Sequence, residues 1–161
     1  MKVLIVSDTH GRNSGYLDLL ENSEKMDMVI HCGDVEGSEY LISESSGCKT
    51  VIVQGNNDYF SDLPRERLIK IEKIPIFMAH GHYHYVNARK DMFQSVAKQR
   101  GARIGLFGHT HVPFCEEMNG VLVANPGSLS LPRQAGFCPT YLLLWLSEDG
   151  TIQWEQCKLE D

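Results

Sequence analysis

The residue types best suited to chemistry in this chain fall in five short motifs, each directly behind an apolar run. Val3-Leu4-Ile5-Val6 leads into Asp8-Thr9-His10, and Met28-Val29-Ile30 into Gly33-Asp34. Val51-Ile52-Val53 leads into Gly55-Asn56-Asn57-Asp58, Ile76-Phe77-Met78 into His80-Gly81-His82, and Ile104-Gly105-Leu106-Phe107 into Gly108-His109-Thr110-His111. Carboxylate oxygen, carboxamide oxygen and imidazole nitrogen are all ligands for divalent transition metals. In open α/β sheets, ligands gather beyond the carboxyl ends of the strands. If the five strands lie roughly side by side, one end of the sheet collects two carboxylates, an asparagine and several imidazoles. That is the donor set of a metal-dependent hydrolase.

Taken singly, each motif has a plainer reading. Asp8 could cap a helix, Gly33-Asp34 could form a tight turn, and Gly55-Asn56-Asn57-Asp58 is rich in turn formers. His80 alone could be a buried structural histidine. The conjunction favours a site, because all five motifs stand at the same topological place and the strand interiors are spared.

The elements that must position these motifs can be read from periodicity. Strands are predicted over residues 2–7, 27–32 and 50–54, alternating with helices over 14–24, capped by Asn13 or Ser14, and 37–46. That alternation implies βαβ units with parallel pairing. Later, 66–72 and 75–79 read as a β pair around Lys73, with Pro75 marking the break. A helix is predicted over 87–100, with Asn87 as N-cap, Met92, Phe93, Val96 and Ala97 facing inward, and Gly101 as the stop. A strand at 104–107 follows. Asn119-Gly120 then joins 113–118 to 121–124, and Asp149-Gly150 joins 140–147 to 151–158, both as hairpins. The expectation is one α/β domain over residues 1–161, parallel early and antiparallel late, with two packed sheets and helices outside.

Bulk properties limit the function classes. A chain of 161 residues with 42% hydrophobic and 22% charged residues is ordinary for a globular domain. A formal charge of −6 gives no strong nucleic-acid signal, yet leaves a small phosphate ester open as substrate, since bound metal ions would set the local field. Five scattered cysteines with no C-x-x-C pair argue against a disulfide framework. No apolar stretch approaches the roughly 18 residues of a membrane span, and no basic or apolar leader precedes the first strand. A cytoplasmic protein with no membrane role is expected, and a homo-oligomer is left open.

The ordered set D-x-H, G-D, G-N-x-D, H-G-H and G-H-T-H resembles the calcineurin-like metallophosphoesterase superfamily. Its short length and the Asn125-Pro126-Gly127-Ser128 segment are similar to the small, capless YfcE-type phosphodiesterases, over residues 1 to about 133. The resemblance implies a four-layer α/β/β/α sandwich of two mixed sheets and a centre of two divalent metals. By motif, Asp8, His10 and His111 would hold one metal and Asn56, His80 and His109 the other, with Asp34 bridging. His80 is taken over His82 because it stands directly after the strand.

Such a pair, about 4 Å apart, clamps the attacking and leaving oxygens of an in-line displacement at phosphorus and supplies a bridging hydroxide near neutral pH. The positive charge of two metals exceeds the negative charge of Asp8, Asp34 and the hydroxide, so the site draws in an anion. The mixed N/O set suits Mn²⁺, Fe²⁺, Zn²⁺, Co²⁺ or Ni²⁺ over Mg²⁺ or Ca²⁺ without choosing among the five, and Mn²⁺ is the metal expected. Catalytic roles are expected for Asp34, Asn56, His80 and His82. Many superfamily members carry histidine where this chain has Asn57, which cannot act as a general acid. Either His82 or His84 protonates the leaving group, or the group departs with metal help alone; phosphodiesters with good leaving groups are then favoured. Asp58 reads as an orienting group or a turn residue, Arg12 and Arg133 as phosphate contacts or solvated arginines, and Cys32 as a buried filler. One further reading stands: a retromer subunit of this fold acts mainly as an interaction scaffold, so fold alone does not establish catalysis.

Overall fold

In the computed structural model, which describes residues 1–159, ten strands and three α-helices alternate along the chain. β1 (Lys2–Val6), β2 (Met28–His31) and β3 (Lys49–Ile52) pair in parallel, with α1 (Ser14–Asn22) and α2 (Glu39–Ser46) as the connections. β9 (Thr140–Leu146) adds antiparallel to β1, and β10 (Ile152–Lys158) antiparallel to β9. The first sheet therefore has the order β10-β9-β1-β2-β3. The second has the order β4-β5-β6-β8-β7, built from β4 (Glu66–Ile71), β5 (Ile74–Ala79), β6 (Ile104–Leu106), β7 (Phe114–Met118) and β8 (Val121–Asn125). β5, β6 and β8 are parallel, with β4 and β7 as antiparallel edges.

Alternation along each strand builds the layers, since successive side chains point to opposite faces. Val3 and Ile5 of β1 face inward and pack with Ile30, Val51, Ile76, Met78 and Leu106 between the sheets. Leu4 and Val6 face outward, under Tyr16 and Leu19 of α1 and Ile42 of α2. On the far side, Phe77, Phe107 and Val123 are covered by Phe93 and Ala97 of α3 (Lys90–Gln99). The result is the four-layer α/β/β/α sandwich, and it explains why the central strands read as continuous apolar runs: both faces are buried.

Three expectations shift. The five motif-bearing strands do not share one sheet: β1, β2 and β3 lie in the first and β5 and β6 in the second. α3 begins at Lys90 rather than 87, because a 3-10 turn over His82–His84 and Tyr85 at φ 54 occupy the preceding chain. Its inner face uses Phe93, Gln94 and Ala97, leaving Met92 exposed. Pro75 lies inside β5, one residue from its start, where a strand gives up little of its ladder. The Asn119-Gly120 hairpin forms as predicted, with positive φ at both residues. Among the described residues no helix is long and apolar enough to cross a membrane.

Candidate metal centre

All five motif strands point their carboxyl ends at the seam between the two sheets. Asp8 and His10 follow β1, Asp34 follows β2 and Asn56 follows β3; His80 follows β5, and His109 and His111 follow β6. Five of these seven residues, Asp8, His10, Asp34, His109 and His111, have positive φ. A non-glycine residue there costs about 1 kcal/mol, and such strain persists where surrounding structure imposes it, typically at functional sites.

Each loop is pinned by its neighbours. Asp8 N donates to Gly33 O, and His10 N to Asp34 O, locking the first two motifs together. Ser128 Oγ and Ser130 Oγ both donate to Asp8 O, at 2.8 and 3.0 Å. Asn125 Nδ2 donates to Gly108 O at 2.8 Å and reaches Thr110 Oγ1 at 3.0 Å, holding the last motif. The Asn125–Ser130 segment is thus a buttress, a role that its turn-forming composition alone does not reveal.

The polar atoms converge with acceptors facing acceptors. His10 Nδ1 donates to Glu36 Oε1 at 2.6 Å and His111 Nδ1 to Leu131 O at 2.7 Å. A carboxylate and a carbonyl can only accept, so in the neutral rings both Nε2 atoms carry lone pairs, and these lie 3.1 Å apart. His80 Nδ1 likewise donates to Cys32 O at 2.7 Å, turning its Nε2 toward Asn56 Oδ1 at 3.0 Å and Asp34 Oδ2 at 3.4 Å. His109 Nδ1 meets the same Asn56 Oδ1 at 2.9 Å. Asp8 Oδ2 accepts from His109 N at 3.0 Å, but Asp8 Oδ1 is buried without a hydrogen bond, 3.3 Å from His111 Nε2 and 3.8 Å from His80 Nε2. Buried acceptors without donors are costly, and a cation among them removes that cost. Asp8 with His10 and His111, and Asp8 with Asp34 and His80, each bring three ligand atoms within 4.8 Å of one another.

Charge in the site follows burial and pairing. Burial is the main reason that the Asp8 carboxyl lies above its usual range. Burial acts on Asp34 in the same direction, but His80 and two donors from Asn57 together outweigh it and hold its carboxyl below the usual range. The two acidic partners correspondingly raise His80 against its own burial. His109 and His111 are lowered, by burial first.

Two residues do more than sequence suggests. Asn57 donates through its backbone N–H to Asp34 Oδ1 and through its side chain to Asp34 Oδ2, each at 2.8 Å. Asp58, 3% exposed, accepts from the backbone N–H groups of Asp34 and Gly55 on one oxygen and from Glu36 N on the other. It therefore ties the second motif to the third. Glu36, which sequence reading passed over, orients His10; an acidic residue two beyond Asp34 was the only available signal. His82 lies beside the centre, its ring 5.4 Å from His80 and 6.0 Å from His109, with Nδ1 buried and unpartnered. Burial and the neighbouring imidazoles push it down to about 4. His84 is turned away, its Nε2 3.1 Å from Glu66 Oε1 and its ring edge-on to Phe77 and Phe93. Arg12 and Arg133 are exposed, Cys32 is fully buried as expected, and all five cysteines are free.

Known proteins resemble this chain in sequence and in fold. A family model described as a calcineurin-like phosphoesterase superfamily domain matches residues 1–149. A probable metallophosphoesterase of Methanocaldococcus jannaschii is 31% identical over 164 residues, covering 100% of this chain and 83% of the relative. The phosphodiesterase YfcE of Escherichia coli is 26% identical, over 83% of this chain and 82% of its own. Among solved structures, wild-type Vps29 of Entamoeba histolytica complexed with zinc superposes with a TM-score of 0.78 at 22% identity, covering 99% of this chain and 100% of that one. That likeness concerns the fold.

Proposed function

The chain belongs to the calcineurin-like phosphoesterase superfamily, and on that footing we propose that it is a phosphodiesterase working with two divalent metal ions. One ion would be held by Asp8, His10 and His111, the other by Asn56, His80 and His109, with Asp34 shared. When bound, such a pair activates a water molecule for attack and offsets charge building on the phosphoryl oxygens. The observation that carries the reading is the facing of acceptors: two imidazole lone pairs 3.1 Å apart beside an unpaired carboxylate oxygen. A divalent cation placed among them satisfies all three acceptors together. Mn²⁺ heads the candidates, with Fe²⁺, Zn²⁺, Co²⁺ and Ni²⁺ compatible with the same N/O donors.

The chain's own residues position and orient. Glu36, Leu131 O and Cys32 O fix the tautomers of His10, His111 and His80, so each presents Nε2 to the centre. Asn57 aims Asp34 through its backbone and side-chain nitrogens, and its carboxamide is no acid. Asp58 is engaged by three backbone N–H groups. Neither can hand a proton to a departing oxygen, and His82, its ring 5.4 Å from that of His80, is the remaining imidazole beside the centre. Diesters whose leaving group departs as a stable oxyanion are therefore the favoured small-molecule substrates.

The alternative is a metal-binding interaction scaffold, which fits the likeness to Vps29 and predicts metal binding without turnover. The discriminating experiment measures bound metal after reconstitution with each ion, then hydrolysis of bis(p-nitrophenyl) phosphate and p-nitrophenyl phosphate. The expected result is metal-dependent diester cleavage, lost at least a hundredfold in Asp34→Asn. Stoichiometric metal with no turnover of either ester would favour the scaffold, and failure to bind any metal would falsify both.

A further inference from the structure

Tyr40, Tyr59, Phe60, Tyr83, Tyr85 and Phe137 are the exposed Tyr and Phe side chains among the described residues, each at least 60% exposed. All six stand on segments that leave the metal-centre end of the sandwich. Tyr59 and Phe60 follow Asn56 and Asn57, and Tyr83 and Tyr85 follow His80. Tyr40 lies in the first turn of α2, just past Asp34. Phe137 is in the β8–β9 connection, whose Leu131 carbonyl and Ser130 hydroxyl bond to His111 and Asp8 O. Trp154, also exposed, belongs to β10 instead. Six exposed rings gathered on the segments around one end mark that end as a binding surface.

The rim reaches the centre in short steps. The Tyr83 ring lies 4.0 Å from that of His82, which packs against His80 and His109. The Arg65 guanidinium sits 5.3 Å over Tyr83. Arg65 precedes β4, which runs antiparallel to β5, so it belongs to the same end. Arg12 and Arg133 are exposed there too, and none of the three has a carboxylate partner among the described residues. Glu66 adjoins Arg65 in sequence, but its carboxylate pairs with His84 and Arg100. Despite the overall charge of −6, this end offers unpaired cations among aromatic faces.

We propose that the aromatic rim is a base-stacking subsite and that the substrate class is a nucleotidyl phosphodiester, a phosphate esterified to at least one nucleoside. This rests on the phosphodiesterase reading. A nucleotidyl diester sets a planar base beside its phosphate, and here rings and guanidinium groups stand on the segments around the candidate metal residues. The other claimant for such a surface is a protein partner, since exposed Tyr and Arg also make protein contacts. The phosphate-directed centre in the middle of the rim favours the nucleotide.

The test compares metal-loaded protein on thymidine 5′-(p-nitrophenyl phosphate) and methyl p-nitrophenyl phosphate, which share a leaving group. The nucleoside diester should show kcat/KM about tenfold higher, chiefly through KM, the scale of one base–aromatic stack. Tyr83→Ala and Phe60→Ala together should pull the ratio toward one, and thymidine 5′-monophosphate titrated calorimetrically into the same proteins should bind about tenfold more weakly to the double variant. A ratio near one in the unsubstituted chain overturns the proposal and returns the rim to protein docking. So does a high ratio that the double substitution leaves unmoved. If neither diester is cleaved, the phosphodiesterase reading fails, and the monophosphate titration alone decides the subsite: ring-dependent binding supports it and ring-independent or absent binding overturns it.

Discussion

Asn57 occupies the position where a proton donor would be expected, and the structure turns it into a clamp on Asp34 instead. Sequence could say what Asn57 lacks, an ionisable proton, but not what its amide touches, because Asp34 is 23 residues away along the chain. Groups that orient a metal ligand typically contribute ten- to a hundredfold in affinity. Asn57→Ala should therefore weaken metal binding by about that factor, measured by competition with a chelating dye, while circular dichroism stays unchanged; equal affinity would remove Asn57 from the site's support. Asp58 carries the larger structural share. Its replacement by alanine strands the N–H groups of Asp34, Glu36 and Gly55, two of them in buried bonds. Unsatisfied buried donors cost roughly 1–3 kcal/mol each, so Asp58→Ala should lose about 3 kcal/mol in denaturant unfolding. A loss below 1 kcal/mol would mean that water replaces the carboxylate.

Of the strands that lead into the candidate donors, all but β3 pass into left-handed backbone within three residues of their ends. The strands were legible because burial on both faces leaves an uninterrupted apolar run, as in Val3–Val6 and Ile104–Leu106. Their ends were legible because Gly, Asp, Asn and His cluster there. The start of α3 was not: Asn87 is a good capping residue, yet tertiary packing of the 3-10 turn around His82–His84 moves the cap to Arg89. Close approach at the strand ends is equally hidden. A Cβ on Gly108 would fall 2.8 Å from Asp8 Oδ2 and closer still to Ser7 Oγ, in the loop that brings His109 N to that carboxylate. Gly108→Ala should consequently lower the melting temperature and cut metal affinity at least tenfold, since overpacking of this kind costs about 1–3 kcal/mol. Calorimetry and metal titration on one sample would expose an error: unchanged affinity means that the loop relaxes freely.

At the scale of the molecule, the centre is a joint between two sheets. Asp8, His10, Asp34 and Asn56 come from one and His80, His109 and His111 from the other, above the inter-sheet core of Ile5, Ile30, Ile76 and Leu106. A metal bound by residues from both sheets stabilises the folded sandwich by mass action, about 2.7 kcal/mol at a hundredfold excess over Kd. For a chain of this size that corresponds to a rise of roughly 5–10 °C in Tm. Adding a chelator should reverse the rise, and Asp34→Asn should show a smaller one. A melting temperature indifferent to metal would place any binding outside the seam.

The sequence by itself determined the donors, the strands that carry them, their order and the family they announce, because residue type and hydrophobic period are local properties of the chain. The tertiary structure decided which oxygens and nitrogens face one another, that five strand ends from two sheets make one centre, and that Asn57, Asp58 and Glu36 hold it. Those facts depend on packing between segments far apart in the chain, 101 residues in the case of Asp8 and His109. Contact at that range is settled by how two buried faces interlock, and no local pattern encodes it.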